Sequence, residues 1–423
     1  MKIRATRFAT GVVVLLALLA LAGVALAAAC GRSTPAPSSS PRAGQQNGLS
    51  QQASPTADQV TRWVDRGLLA VMRRDRAAWR AALPVSGRAA RQAADALYAH
   101  LAPLEWTGLT AVVTVVPSPA ATFDIRIVGR PGGAGPPTRI VAERVLRVVR
   151  RGGRLVAVGD PTPTPVARRY LMAFHAPRTL RGPGVVCVYD ATWRPLAAEL
   201  AAFMPQARAD VARLLGASGR RPIVMFVYSS GNEVAAYLGN AKVERKARFF
   251  SRLPDTATAG HWSPGDVGVL ATQLPSHDPW TPHMLAHEVT HALTLRWFFT
   301  TRHQPTFLLE GMATAVENSR SFAPLRAEVT AGDRSMPLAR SFMSGDLWSG
   351  MRIKRTELAY LQGAAFVQYV LHGWGRKAFR RLAVDIADSD LLGDAVKAAV
   401  RRDLHVSWPR FYADWKAYVM TLP

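Results

Sequence analysis

Cysteine is nearly absent from this chain: two in 423 residues, too few for a disulfide framework. Acid is scarce too, with 29 Asp and Glu against 53 Lys and Arg and a net charge of +24. A surface so basic favours anionic partners. The basic residues are nevertheless scattered, with no compact run interleaved with aromatics and no nucleic-acid motif, so nucleic acid is not expected as a partner. No internal repeat is visible, so no repeat architecture is expected. What is present is globular composition, 49% hydrophobic and 19% charged. The length exceeds what one core needs, and two domains beyond any leader are expected.

Lys2, Arg4 and Arg7 precede an uncharged apolar run from Phe8 to Ala29, the layout of an export signal. Ala27, Ala28 and Ala29 then lead to Cys30, which resembles the lipobox of bacterial lipoproteins. The resemblance implies lipidation of Cys30; the family's Leu three places before the cysteine is Ala27 here, with Leu26 one place early. The other reading is an uncleaved anchor helix, since the run is long enough to span a bilayer. Both place the protein outside the cytoplasm, tethered to the cell membrane. Cys187, within Val185-Val186-Cys187-Val188, reads as a structural thiol in a buried strand.

The expected organisation is a leader or anchor over 1–30, a Ser/Pro/Gln/Gly-rich flexible stalk over 31–55, and domains over 56–165 and 167–423. In the first domain, helical spacing of apolar residues covers Val60–Leu83 and Ser86–Leu101. Strand-like runs follow at Thr107–Val116, Ala121–Gly129, Arg139–Arg150 and Arg154–Val158. Helices followed by a curved antiparallel sheet resemble the nuclear-transport-factor-two-like fold. Trp63, Trp79 and Trp106 are expected in the core rather than around a pocket. Pro161 to Pro165 marks the boundary. The second domain reads as α+β, a mixed sheet plus a mostly helical C-terminal part: strands at Gly184–Tyr189, Pro222–Tyr228 and Gly265–Leu274, helices at Trp193–Leu215 and Gly231–Leu238, and a mostly helical stretch from Pro282 to Leu422.

The sharpest signal is His287-Glu288-Val289-Thr290-His291, on a helix expected to open with Thr281 as N-cap and Pro282 first. Residues four apart share a helix face, so both imidazoles can reach one metal. Glu288 is offset, placed to take a proton from an attacking water. Catalytic zinc keeps three protein ligands and one open position. Glu310, with 18 residues between it and His291, supplies the third ligand from a helix that starts near Pro305.

HExxH, that gap and Pro305-Thr306-Phe307-Leu308-Leu309-Glu310-Gly311-Met312-Ala313 resemble the gluzincin peptidases, particularly the bacterial "peptidase MA-like" domains, over roughly Val186 to Leu392. The resemblance implies a Zn2+ hydrolase acting on peptide or protein substrates, an antiparallel sheet on the active-site helix, and a strand, Val267–Ala271, that pairs with extended substrate. It also implies a carboxylate four residues after the ligand Glu, where this chain has Thr314. Glu317 is expected as an ordinary exposed helix residue, with substitution for that carboxylate as the less favoured reading. Tyr360, in Tyr360-Leu361-Gln362-Gly363-Ala364-Ala365-Phe366-Val367-Gln368-Tyr369, is by resemblance an oxyanion donor and equally a packing residue. Of the remaining histidines, His261, His277, His283 and His303 are expected on surfaces or loops. The competing function is a non-catalytic binding lipoprotein with a structural or relict metal site; retention of Glu288 argues against it.

Overall fold

The computed structural model describes residues 54–116, 121–131, 139–158, 176–231, 249–252, 265–274, 277–298, 301, 305–332, 353–389 and 392–423. The leader, Cys30, the stalk, the Pro-rich boundary, His261, His303 and all but the first residue of the helix expected at Gly231–Leu238 lie outside them. Among the described residues no helix is long and apolar enough to cross a membrane.

The first unit is three helices and a sheet. Helix α1 (Ala57–Met72) opens on a reciprocal cap: Gln59 N donates to the Thr56 hydroxyl at 3.3 Å, and Thr56 N donates to the Gln59 side chain at 3.1 Å. The single helix expected over Val60–Leu83 is in fact two. Arg74 takes a left-handed φ of 57°, and Asp75 caps α2 (Arg76–Ala82) by accepting from Ala78 N at 2.9 Å. Strand β1 (Val85–Ser86), helix α3 (Arg88–Leu101) and strands β2 (Trp106–Val115), β3 (Thr122–Pro131), β4 (Arg139–Arg151) and β5 (Arg154–Val158) follow. Strands β2 to β5 form an antiparallel meander, and β1 adds to β5 in parallel. Trp63 and Trp79 are buried in the core, while half-buried Trp106 donates its indole N–H to the Leu101 carbonyl at 2.8 Å.

The second unit carries the site. Its elements are β6 (Pro177–Gly182), β7 (Val185–Asp190), α4 (Arg194–Leu215), β8 (Ile223–Tyr228), β9 (Phe249–Arg252), β10 (Asp266–Leu270), α5 (Thr281–Thr294), α6 (Thr306–Glu317), α7 (Ala323–Ala331), α8 (Ile353–Ala387, interrupted at Gly375), α9 (Leu392–Leu404) and α10 (Trp408–Val419). The molecule is thus α+β, with a mostly helical C-terminal part.

The sheet order is β6-β7-β8-β10-β9. It is mixed, as expected for the second domain, and not the antiparallel sheet that the resemblance implies: β8 runs parallel to both β7 and β10, and β6 and β9 flank them antiparallel. Strand β10 stops at Leu270, earlier than expected, where the chain turns into a short 3-10 segment at Ala271–Gln273. Both of its edges are taken, by β8 and by β9. The expectation that this strand receives substrate by strand addition is therefore corrected, because no row of free backbone groups is left on it.

Residues alternate between two cores, as the two-residue strand period requires. Cys187, Met225, Val227, Val267 and Val269 face the helical side. Val186, Val188, Val224, Phe226, Tyr228 and Leu270 join the core of the first unit. Cys187 is fully buried, and burial pushes its thiol up to about 12, so it is inert packing, as its sequence setting indicated.

Candidate metal centre

Two buried helices build the site. Helix α5 is buried through most of its length, with Leu285, Val289 and Ala292 fully enclosed. Its buried threonines satisfy themselves: Thr290 donates to the Ala286 carbonyl and Thr294 to the Thr290 carbonyl, each at 2.8 Å. The helix begins one residue earlier than expected, with Trp280 as cap and Thr281 inside the first turn. Helix α6 is likewise enclosed from Phe307 to Glu317.

Helix α8 lies directly against α6. A Cβ on Gly311 would stand 2.5 Å from the Gly363 carbonyl carbon, and one on Gly363 would stand 2.7 Å from the Phe307 carbonyl oxygen. The two glycines let the backbones touch. That contact brings Glu310, beside Gly311, within hydrogen-bond reach of Tyr360, one turn before Gly363.

His287, His291 and Glu310 converge, all buried, and form a group that can hold a metal ion. The separations are 3.3 Å between the two Nε2 atoms, 3.3 Å from His287 Nε2 to Glu310 Oε2, and 3.6 Å from His291 Nε2 to Glu310 Oε2. Ligands about 2.0–2.1 Å from a tetrahedral zinc stand roughly 3.3 Å apart, so this triangle fits one face of such an ion. Two imidazole nitrogens facing each other across 3.3 Å with a carboxylate beside them also call for a cation between them.

Without a metal, a proton takes that role. Burial lowers the His287 imidazolium pKa, but hydrogen bonds to Glu310 and Glu317 and their charges outweigh it and bring His287 up to about 10. Glu310 is held far below the usual carboxylate range: burial alone would raise it, and the charge of His291 and the bonds from both imidazoles reverse that. Metal and proton therefore compete for His287. The apparent zinc affinity of the metal-free chain should rise about tenfold per pH unit from neutrality and level off near pH 10, above which His287 has no proton to lose. Titration with a zinc indicator across that range measures it, and a flat profile between pH 7 and 9 would refute it.

The expected role of Glu317 is overturned. It is 4% exposed, not solvated, and its Oε2 accepts from His287 Nδ1 at 3.0 Å. Its other oxygen accepts from Ser319 at 2.7 Å and from Arg320 Nε at 3.2 Å. Burial would raise this carboxyl, but the His287 bond and charge, then Arg320 and Ser319, bring it down to about 2, so it stays ionised. This is how His287 is turned with Nε2 toward the cluster. Thr314 does none of this: its hydroxyl is buried and has no hydrogen-bond partner among the described residues. The signal that finds Glu317 is its spacing of seven from Glu310, two turns along one helix face.

Zinc affinity should fall about 10–100-fold in Glu317→Ala, the range for losing a group that orients a ligand. In Thr314→Val, which removes a hydroxyl that bonds to none of the described residues, it should not change. Competition against a chelator of known affinity separates the two, and equal losses would show that Glu317 is not the orienting group.

The remaining residues fall as follows. His283 is half-buried, not a surface residue, and its Nδ1 donates to the Glu317 carbonyl at 3.0 Å, tying the start of α5 to the end of α6. His277 is exposed, as expected, 3.9 Å from Glu199. Glu288, next to His287 on α5, is buried. Tyr360 is buried with its ring centroid 6.3 Å from that of His287, and the Arg320 guanidinium lies 5.3 Å over its ring. Burial and the Glu310 charge push its phenol well above 10, with Glu288 adding to the rise, so it remains a hydrogen-bond donor; in this structure it bonds Glu310. Tyr369 packs against Trp374, Phe411 and Tyr418 and belongs to the core.

No family model matches the chain, and no curated protein matches it. Among solved structures it is similar to yeast LTA4 hydrolase in complex with bestatin, with a TM-score of 0.32 and 14% identity over 58% of this chain. The chain spans 38% of the length of that protein, a likeness too slight to carry weight.

Proposed function

We propose that this chain is a zinc-dependent metallopeptidase, held outside the cytoplasm on the cell membrane by lipid on Cys30 or by an uncleaved N-terminal helix. One observation carries the reading: three buried ligand atoms stand at tetrahedral spacing, and the helix that bears two of them also buries Glu288, next in sequence to His287, a carboxylate that a purely structural site does not need. His287, His291 and Glu310 are the ligands. When bound, zinc supplies a Lewis acid that polarises the scissile carbonyl and acidifies water.

The chain's own residues do the rest. Glu288 takes the proton of the attacking water and returns it to the leaving amine. Tyr360, kept protonated by its surroundings, donates a hydrogen bond to the developing oxyanion. Glu317 holds His287 in register, and Arg320 bonds Glu317 while covering the ring of Tyr360, so one side chain steadies both sides of the cleft. The gluzincin resemblance of the motifs supports this reading. The order of helices then antiparallel sheet supports a nuclear-transport-factor-two-like first domain.

The test is cleavage of a mixed peptide library by the purified chain, read by mass spectrometry. Cleavage should stop when zinc is removed by chelation and return when zinc is restored. Zinc bound without cleavage of any member would turn the assignment toward a binding lipoprotein with a structural metal.

A further inference from the structure

The first domain has a cleft of about 390 Å³ between α1, the end of α2 and the β4–β5 hairpin, separate from the metal centre. Four arginines line it: Arg62 and Arg66 from α1, Arg150 and Arg154 from the hairpin. Arg62 and Arg66 stand four apart on one helix face, an arrangement of like charges that destabilises a helix. Among the described residues no acid lines the cleft to offset them. Elsewhere arginines take carboxylate partners: Arg80 with Asp95 at 2.6 Å, Arg126 with Asp124 at 3.1 Å, Arg181 with Glu105 at 2.9 Å. Asp65, next to Arg66 in sequence, is turned to β2 instead, where it accepts from Ala111 N at 2.8 Å.

Arg150 is also held in place. It is half-buried and donates to the Gln59 side chain at 3.0 Å, the same oxygen that accepts from the α1 cap, and to the Gly153 carbonyl at 3.4 Å. Those bonds go to neutral acceptors, so its charge stays uncompensated. A concave site lined by one sign of charge concentrates counter-charge, and guanidinium forks match phosphate oxygens two at a time.

We propose that this cleft binds a phosphate-bearing ligand, with its phosphate held among Arg62, Arg66, Arg150 and Arg154 and any apolar portion lying along Leu155. The inference is independent of the metal centre and its chemistry. The phosphate belongs either to a free small molecule or to a lipid headgroup, and two probes separate these sources.

Inorganic pyrophosphate stands for the first and glycerophosphoglycerol, the water-soluble headgroup of phosphatidylglycerol, for the second. Each is titrated calorimetrically into the full chain in mild detergent at about 150 mM salt, where diffuse surface attraction is screened. One probe should bind once per chain with a Kd of about 1 mM or tighter. The double variant Arg62→Gln/Arg150→Gln should weaken binding by about tenfold or more. Arg194→Gln/Arg220→Gln, which removes the same charge from exposed sites on the other domain, should leave it unchanged. Preference for pyrophosphate assigns the site to free phosphates, and preference for glycerophosphoglycerol assigns it to headgroups. Equal weakening in both variants, or binding of neither probe, overturns the proposal.

Discussion

Glu288→Gln should lower turnover of a cleaved peptide by about a thousandfold while zinc content stays at one ion per chain. General-base catalysis is worth about 10²–10⁴-fold, and a carboxamide of the same shape can accept no proton. Glu288 is not among the three converging ligand atoms, so the ion should be retained. His291→Ala should lose both zinc and activity, because two remaining ligands leave the site open on a second side. The pair of variants separates chemistry from binding. Zinc loss in Glu288→Gln would make Glu288 a ligand and displace Glu310 from that role. Undiminished turnover in Glu288→Gln would remove it from the mechanism.

The second large effect comes from a residue with no chemistry. Gly311→Ala places a methyl 2.5 Å from the backbone of Gly363. Two opposed terms set the outcome. Ala is favoured over Gly within a helix by about 1 kcal/mol, whereas forcing an extra group into a close-packed contact costs about 1–3 kcal/mol, occasionally more. The clash is with backbone, which has no rotamer by which to yield, so the steric term should win and the protein should lose about 1–2 kcal/mol net. Helices α6 and α8 must part, carrying Glu310 and Tyr360 with them. A displacement of about 1 Å at such groups is enough for a loss of about a hundredfold in kcat/KM. Denaturant melts with turnover measurements test this. A variant with unchanged or higher stability would mean that the helices are not in the close contact described.

Much of the site is legible in the sequence. The i, i+4 histidines announce a shared metal, and Glu310 enters through the resemblance of its gap and segment to the gluzincins; the three do converge. Element order in the first domain is legible too, since turn clusters and two-residue alternation are local signals. Long-range facts are not. Nothing local says that β9 covers β10, so Val267–Ala271 reads as an available strand until the sheet is assembled. Glu317 looks like one more polar helix residue because burial is decided by what packs over it. Arg74 breaks a run of helical periodicity through its backbone angle, to which apolar spacing is blind. Gly311 and Gly363 carry a legible hint: glycine inside a helix is unfavourable, so its presence there implies a packing reason.

The sheet shared by the two cores bears on how the molecule can be dissected. Val186, Val188, Val224, Phe226, Tyr228 and Leu270 belong to the domain that carries the metal ligands, yet they are covered by the domain before it. A fragment cut at the Pro-rich boundary would present that apolar face to water, an invitation to self-association. The leading unit is therefore no detachable module riding on a self-sufficient body. For protein engineering the two halves form one unit, and moving either onto another partner requires rebuilding the buried face between them.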